Sequence, residues 1–246
     1  MNNMKYIYEN TIEGLFSAIF VGYKNIEIAH FYPKSFESSF LADEIAIKTS
    51  KEFYKRVKDS IVKNFGYNFL NSIKTAFRSY ELEKGTHIAR VLKGKYLYGN
   101  VYLGGSTEEA IKFNQMIKNV YSENHSYKGL LRFKKIKGDY FYGEMEPKND
   151  ILDLLTLHFK NRIPKEKFII LDMKRKKCSI YNEGEISYYD VGDMYINKGS
   201  KDTFFEECWV EFYNAIKIDE RENLKLMQNN MPKRYWKYLP EKINNL

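Results

Sequence analysis

Cysteine, histidine and long apolar runs are all scarce in this chain of 246 residues. The two cysteines, Cys178 and Cys208, form no CxxC pair, and four histidines are few for a zinc site. We therefore expect reduced, structural thiols, no metal and no cofactor. The apolar stretch GLFSAIFVGY near the start is too short to cross a bilayer, which predicts a cytoplasmic protein with no membrane partner.

Specific catalytic motifs are also missing. GxSxG, HExxH and paired CxxC motifs do not occur. The nearest approach to a phosphate loop is YLGGSTEEA, where Gly104 and Gly105 precede Ser106. No GK[ST] follows, so the pattern is typical of a glycine turn that enters a capped helix.

Positive charge is what the chain does have, with 40 Lys+Arg against 32 Asp+Glu and a formal net charge of +8. One interpretation is a polyanionic partner. The other is an AT-rich coding sequence, which enriches Lys, Asn, Ile and Tyr. Arginine is the more specific signal, because its planar fork suits bidentate contacts with phosphate. The second half of the chain contains Arg132, Arg162, Arg175, Arg221 and Arg234.

Hydrophobic periodicity predicts an α+β fold. The first half is mostly helical in pattern, with short strands at MKYIYE and EIAIKTS and helices capped at Asn10 and Thr49. From Gly129 the pattern changes to short β-rich runs, with helices at NDILDLLTLHFKNR and TFFEECWVEFYNAIKI. We expect a mostly helical region over 1–128 and an antiparallel sheet with packed helices over 129–246. The two regions could also form one continuous domain.

Three polar residues of the second half are candidates for chemistry. His158 and Arg162 share one helix face. They could be a general acid/base next to an anion-binding residue. They could also be basic side chains that stabilise the negative end of the helix dipole. Asp172 interrupts FIILDM near a strand end, as a catalytic carboxylate or as the partner of Lys174 or Arg175.

Weaker signals lie on the neighbouring strands. Arg132, at a strand start in GLLRFKK, is expected either to pair with a carboxylate or to contact a ligand. Strand alternation places Glu144 and Glu146 on one face, where they form a minimal carboxylate pair that could hold a divalent ion. Without a third ligand at the right spacing, a solvated strand face is the favoured interpretation.

The C-terminal stretch MPKRYWKYLPE alternates cations with aromatic rings. Lys233 and Arg234 could contact phosphates while Tyr235 or Trp236 stacks on bases. Composition favours the alternative, in which these rings pack into the core.

Several segments together resemble an uncharacterised bacterial family whose members are described as probable DNA metabolism or DNA repair proteins. The segments are GLFSAIFVGY, GLLRF, LLTLHFKNR, ILDMKRKKCSIY and FYNAIKIDERENLKLMQNNMPKRYWKYLPE. Family members are typically encoded beside a radical-SAM protein, and some carry a uracil-DNA-glycosylase-like domain. The resemblance implies a role with DNA and a radical-SAM partner. It supplies no catalytic residue, and we expect neither associated activity in this chain.

Three hypotheses follow, and whether the protein is an enzyme stays open. The first is a DNA-binding accessory protein that acts with a radical-SAM partner. Its nucleic-acid contacts are assigned to Arg132, Arg162, Lys233, Arg234, Tyr235 and Trp236. The second is an enzyme acting on a base or nucleotide, with His158 and Asp172 as acid and base. The third is a protein-interaction scaffold.

Overall fold

The computed structural model describes residues 4–34, 44–105, 107–136, 139–191, 224–240 and 242. The chain divides into two compact units, residues 1–121 and 122–246. The division falls inside a long helix, a little before the change of pattern at residue 129. The predicted regions 1–128 and 129–246, and the alternative of one continuous domain, stay predictions.

The predicted α+β class is confirmed, with helices mostly in the first half and the larger sheet in the second. The helices are α1 (Ile12–Gly22), α2 (Lys51–Phe77), α3 (Lys84–Tyr98), α4 (Val101–Gly104), α5 (Glu108–Leu130), α6 (Leu152–Arg162) and α7 (Leu224–Asn230). Short 3-10 helices cover Tyr23–Asn25 and Lys233–Tyr238. The strands are β1 (Lys5–Tyr8), β2 (His30–Pro33), β3 (Glu44–Ala46), β4 (Phe133–Ile136), β5 (Tyr140–Met145), β6 (Lys167–Asp172), β7 (Lys177–Asn182) and β8 (Glu185–Asp190).

The first unit is built on a three-stranded parallel sheet in the order β2-β1-β3. Tyr6 of β1 pairs with Phe31 on one side and Ile45 on the other. The strands run parallel because α1 connects β1 to β2 and returns the chain to the same end of the sheet. The sequence pattern does not predict β2, because HFYP is short and ends on a proline.

Helix α1 supplies much of the core of this unit. Leu15, Phe16 and Ile19 are at most 1% exposed, at the spacing expected of one helix face. Burying each of these side chains stabilises the fold by roughly 1.5–3 kcal/mol. They pack with Tyr6, Phe31 and other buried residues into one cluster.

The caps of the first two long helices are shifted by one residue from the predicted positions. Thr11, and not Asn10, accepts a hydrogen bond from Gly14 N through Oγ1 and begins α1. Ser50, and not Thr49, accepts from Phe53 N and begins α2. Thr49 Oγ1 instead donates to the carboxylate of Glu9, so a distant acceptor decides which hydroxyl caps the helix.

A break near the middle of α2 divides it into two helical pieces. Gly66 has φ 79° and ψ 173°, which lies outside the helical region and is open to glycine because it lacks a Cβ. The helix therefore bends at this residue.

The second unit contains a five-stranded sheet in the order β4-β5-β6-β7-β8. The predicted antiparallel sheet needs one correction, because β5 pairs with β6 in parallel and the sheet is therefore mixed. The connection between them contains α6, which is long enough to carry the chain back across the sheet. The other three pairs are antiparallel hairpins, as predicted.

The β7–β8 hairpin shows why the NEGE turn is tight. Glu183 and Gly184 both have positive φ, 48° and 91°, as the two central residues of a type I′ turn require. The register then places Cys178 opposite Tyr189, and burial raises the pKa of this free thiol. Cys178 is therefore a packing residue in the described structure.

Some predicted features lie outside the described residues. They are the helix TFFEECWVEFYNAIKI, Cys208, Arg221 and Ser106. Within the described ranges, no helix is long and apolar enough to cross a membrane.

Helix α3 meets the edge of the first sheet through a glycine. A Cβ at Gly85 would lie 2.7 Å from the carbonyl oxygen of Phe31 and 2.8 Å from Tyr8 Oη. Next to it, Thr86 Oγ1 accepts a hydrogen bond from Phe31 N and satisfies this edge-strand amide. The close approach therefore fixes the start of α3 against β2.

We expect Gly85→Ala to lower the free energy of unfolding by about 1–3 kcal/mol, because the backbone carbonyl of Phe31 cannot move aside. Chemical denaturation followed by circular dichroism measures this change. The comparison is Gly129→Ala in α5, where a Cβ meets nothing within 4 Å. There alanine should be neutral or stabilise by about 0.5–1 kcal/mol. Equal effects at the two positions would contradict the assigned contact.

Candidate functional site

The aromatic rings at the C-terminus are packed inside the second unit. Tyr235 is 2% exposed and Trp236 is 7% exposed. Tyr235 meets Tyr127 of α5 edge-to-face at 4.9 Å, and Trp236 Nε1 donates to Met231 O at 2.9 Å. This corrects the assignment of the two rings to base stacking, because neither presents a free face to solvent. The packed alternative describes them instead.

The cations between these rings contact acids of the same unit. Arg234 Nη2 lies 3.2 Å from Glu123 Oε1 and donates to Tyr235 Oη at 2.5 Å. Lys237 Nζ and Tyr238 Oη both donate to Glu146 Oε2. The hydrogen bond from Lys237 lowers the pKa of Glu146, so this pairing is present at neutral pH and is lost as the carboxylate protonates. Lys233 is exposed and lies 5.8 Å from the Trp236 ring.

Glu123 is the centre of this arrangement, although it lies in the middle of a helix. Its side chain is 4% exposed. Oε1 accepts from Lys148 N at 3.0 Å, while Oε2 accepts from Asn149 N at 2.8 Å and from Asn149 Nδ2 at 2.7 Å. With Arg234 as a fourth donor, the carboxylate is fully satisfied, as a buried charge must be.

A pattern in α5 contains the signal for Glu123. Phe113, Met116, Val120 and Tyr127 are all buried, at alternating intervals of three and four residues once Glu123 is included. An acidic side chain at a core-facing position of a helix needs hydrogen-bond donors that are themselves buried. Sequence reasoning missed it because it considered acids on strands only.

Asp172 plays a similar role at the β6–β7 turn. It is fully buried, and Oδ1 accepts from the amides of Lys174 and Arg175 at 3.0 and 3.1 Å. Arg175 donates to Oδ2 at 2.8 Å and to the carbonyl oxygens of Pro147 and Lys148. Burial raises the pKa of Asp172, and the Arg175 guanidinium opposes that rise. Of the two roles open to Asp172, the geometry is that of a partner for Arg175.

His158 lies apart from this cluster, on α6. Burial and the two cations Lys128 and Arg162 lower the pKa of its imidazole. Among the described residues no hydrogen bond joins His158 to Asp172, whose carboxylate is occupied by the turn. The geometry of the described residues therefore gives no support to His158 and Asp172 as an acid/base pair.

Three basic side chains, from the end of α5 and from α6, lie close enough to interact electrostatically. Lys128, near the end of α5, and Arg162 both act electrostatically on the imidazole of His158. Arg132 follows α5, and its Nη1 donates to Gly129 O in the last turn of that helix at 2.8 Å. Arg162 is exposed one turn after His158 on α6. We call Lys128, His158 and Arg162 the basic patch. Of the predicted phosphate-binding arginines, Arg162 therefore belongs to this patch, Arg132 bonds to the end of α5, and Arg234 pairs with Glu123.

The predicted carboxylate pair does not form a metal site. Glu144 accepts from Tyr142 Oη at 2.8 Å, and Glu146 is bound by Lys237 and Tyr238. Over the described ranges, no group of three His, Cys, Asp or Glu side chains could hold a metal ion. Each acid is therefore used in a contact within the protein.

The first unit contains a polar cluster that sequence reasoning missed. Glu83 Oε1 accepts from Tyr32 Oη at 2.7 Å and lies 3.1 Å from His30 Nδ1. Partial burial opposes ionisation, but these hydrogen bonds outweigh it and lower the pKa of Glu83. His87 and Arg90 follow on the same face of α3, and burial lowers the pKa of His87. The spacing 83, 87, 90 was the available signal.

These features define an α+β protein with two polar centres in its second unit, a buried carboxylate cluster and a partly exposed basic patch. The chain belongs to the family of the domain of unknown function DUF4130, which matches residues 83–241, about two thirds of its length. A comparison with curated proteins gives no match. The family match covers both centres, and the expected role in DNA repair stays a prediction.

We expect Glu123→Gln to lower the free energy of unfolding by about 1–3 kcal/mol. Each carboxylate oxygen of Glu123 accepts from two donors. In glutamine one oxygen is replaced by an NH2 group, which is itself a donor and therefore repels the two donors that it faces. The ion pair with Arg234 contributes little to this expected loss, because the Arg234 side chain is 40% exposed and solvent screens its charge. Urea denaturation measures the change, with the exposed Glu166→Gln of the same unit as control. Equal stability of the two variants would remove Glu123 from its central role.

Proposed function

We propose that this protein binds DNA through the basic patch, as an accessory protein in DNA metabolism or repair. The observation that carries the proposal is the accumulation of like charge around His158. Lys128 and Arg162 both place positive charge next to its imidazole. Like charges held together are unfavourable unless an anion offsets them, and DNA phosphates are such anions.

The C-terminal cations take a different role in this proposal. Arg234 and Lys237 are bound to Glu123 and Glu146, so releasing them for phosphate would break contacts within the unit. They stabilise the packed C-terminus, and the basic patch supplies the phosphate contacts. Lys233 is exposed and adds to the positive field around them.

The resemblance to the DNA metabolism family extends the proposal to a radical-SAM protein as partner. Co-purification of the two proteins expressed together tests this part separately, because it needs no DNA. The scaffold hypothesis makes the opposite prediction for the patch, namely partner binding without DNA binding.

Replacing two patch cations should weaken DNA binding and its salt dependence together. For Lys128→Ala with Arg162→Ala, we expect the slope of log affinity against log salt to fall by about 2, since each phosphate contact contributes about one. Fluorescence anisotropy with single-stranded and duplex DNA at several salt concentrations measures it. The matched control removes two exposed lysines of α2, Lys55→Ala with Lys63→Ala.

Two results would overturn the patch assignment. One is DNA binding that the control and the patch variant weaken equally, which would indicate only a general effect of net charge. The other is a loss of binding confined to Lys233→Ala with Arg234→Ala, in a variant whose unfolding curve matches the parent.

DNA binding should strengthen as the pH falls from 8 to 6. Burial and neighbouring cations hold the pKa of His158 below its usual value of 6.5 in the free protein. Bound phosphate stabilises the imidazolium and raises that pKa, so binding takes up a proton and is favoured at lower pH. Anisotropy titrations at fixed salt measure this change. His158→Asn should flatten the pH profile, and an unchanged profile would exclude His158 from the interface.

A further inference from the structure

A small pocket in the first unit has aromatic and polar walls. Its volume is about 190 Å³. Tyr98 and Tyr102 form one wall, stacked with ring centroids 5.9 Å apart and an interplanar angle of 11°. Tyr98 is 67% exposed, so much of its surface is open to a ligand. Exposed rings of this kind are stacking platforms for planar molecules.

A glycine of α3 makes room for these rings. A Cβ at Gly94 would lie 2.3 Å from the nearest atom of the Tyr102 ring. Tyr102 therefore lies directly on the helix backbone. Gly94 continues the face of α3 that contains Glu83, His87 and Arg90, which places the pocket next to the polar cluster at the start of that helix.

The charged residues that line the pocket offer both donors and acceptors. Arg90 lies 3.7 Å from Glu109, which is too long for a good hydrogen bond, and Lys93 lies 2.9 Å from Glu27. Arg90 Nε is buried and has no hydrogen-bond partner in the described structure. A buried donor without a partner costs free energy, and a ligand acceptor would recover it.

The size and charge of the pocket select the class of ligand. Its volume is below the range of about 300–1,000 Å³ typical of larger ligand sites, so one ring system fits best. The two cations and two carboxylates lining it cancel in pairs, which disfavours a free phosphate. A planar heterocycle with donors and acceptors on its edge matches the rings, Arg90 and Glu109 together.

We propose that this pocket binds a nucleobase, stacked on Tyr98 and held along its edge by Arg90 and Glu109. The base could belong to a free nucleoside or to an unpaired nucleotide of a single strand, since both present the same ring. This site is separate from the basic patch, because it needs no phosphate contact and belongs to the other unit.

Saturation-transfer NMR with the four deoxynucleosides tests the site, because this method detects weak binding. We expect transfer to at least one nucleoside base, and Tyr98→Ala should weaken its binding about fivefold or more. Arg90→Met removes the free donor and should also weaken it. The control is Tyr67→Ala in α2, which removes a ring with 66% exposure that does not line the pocket.

Competition distinguishes the two sources of the base. Displacement of the nucleoside by a short oligodeoxynucleotide, but not by its abasic analogue, assigns the pocket to a strand. No displacement assigns it to a free nucleoside, and both results support the site. Absence of transfer to all four nucleosides, or equal binding by Tyr98→Ala and Tyr67→Ala, would overturn it. Failure of the patch variants leaves this result unchanged, because nucleosides carry no phosphate.

Discussion

The buried carboxylate of Glu123 is the interaction on which the second unit depends most. It binds the backbone at Lys148 and Asn149, between β5 and α6, and also binds Arg234 of the C-terminal 3-10 helix. Arg175 holds the same connection from the opposite side through the carbonyl oxygens of Pro147 and Lys148. One charged group and its partners therefore set where α6 begins, and α6 carries two members of the basic patch.

The two sets of cations in this unit differ in their partners, and this difference decides how each can be used. Arg175, Arg234 and Lys237 face carboxylates at close range and stabilise the fold. Around His158, by contrast, the charges that act on the imidazole are cations. Clusters of like charge are more typical of function than of stability. Net charge alone does not make this distinction.

Local features were predictable to within a residue or two. The helical break at Gly66, the β7–β8 turn and the existence of α6 all follow from neighbouring residues. The caps at Thr11 and Ser50 were displaced by one position, because Asn10 and Thr49 were equally suitable candidates locally. Parallel pairing of β5 with β6 was not predictable from the strands themselves. It depends on where the intervening helix returns the chain.

By itself, the sequence determined the fold class and most of the helices and strands. These follow from periodicity and residue chemistry within short windows. Tertiary structure alone decided that Tyr235 and Trp236 are buried, that Asp172 binds Arg175, and that Arg234 meets Glu123. The physical reason is that a ring or a charge can be satisfied by solvent, by a ligand or by a distant residue. Only the folded chain selects among these partners.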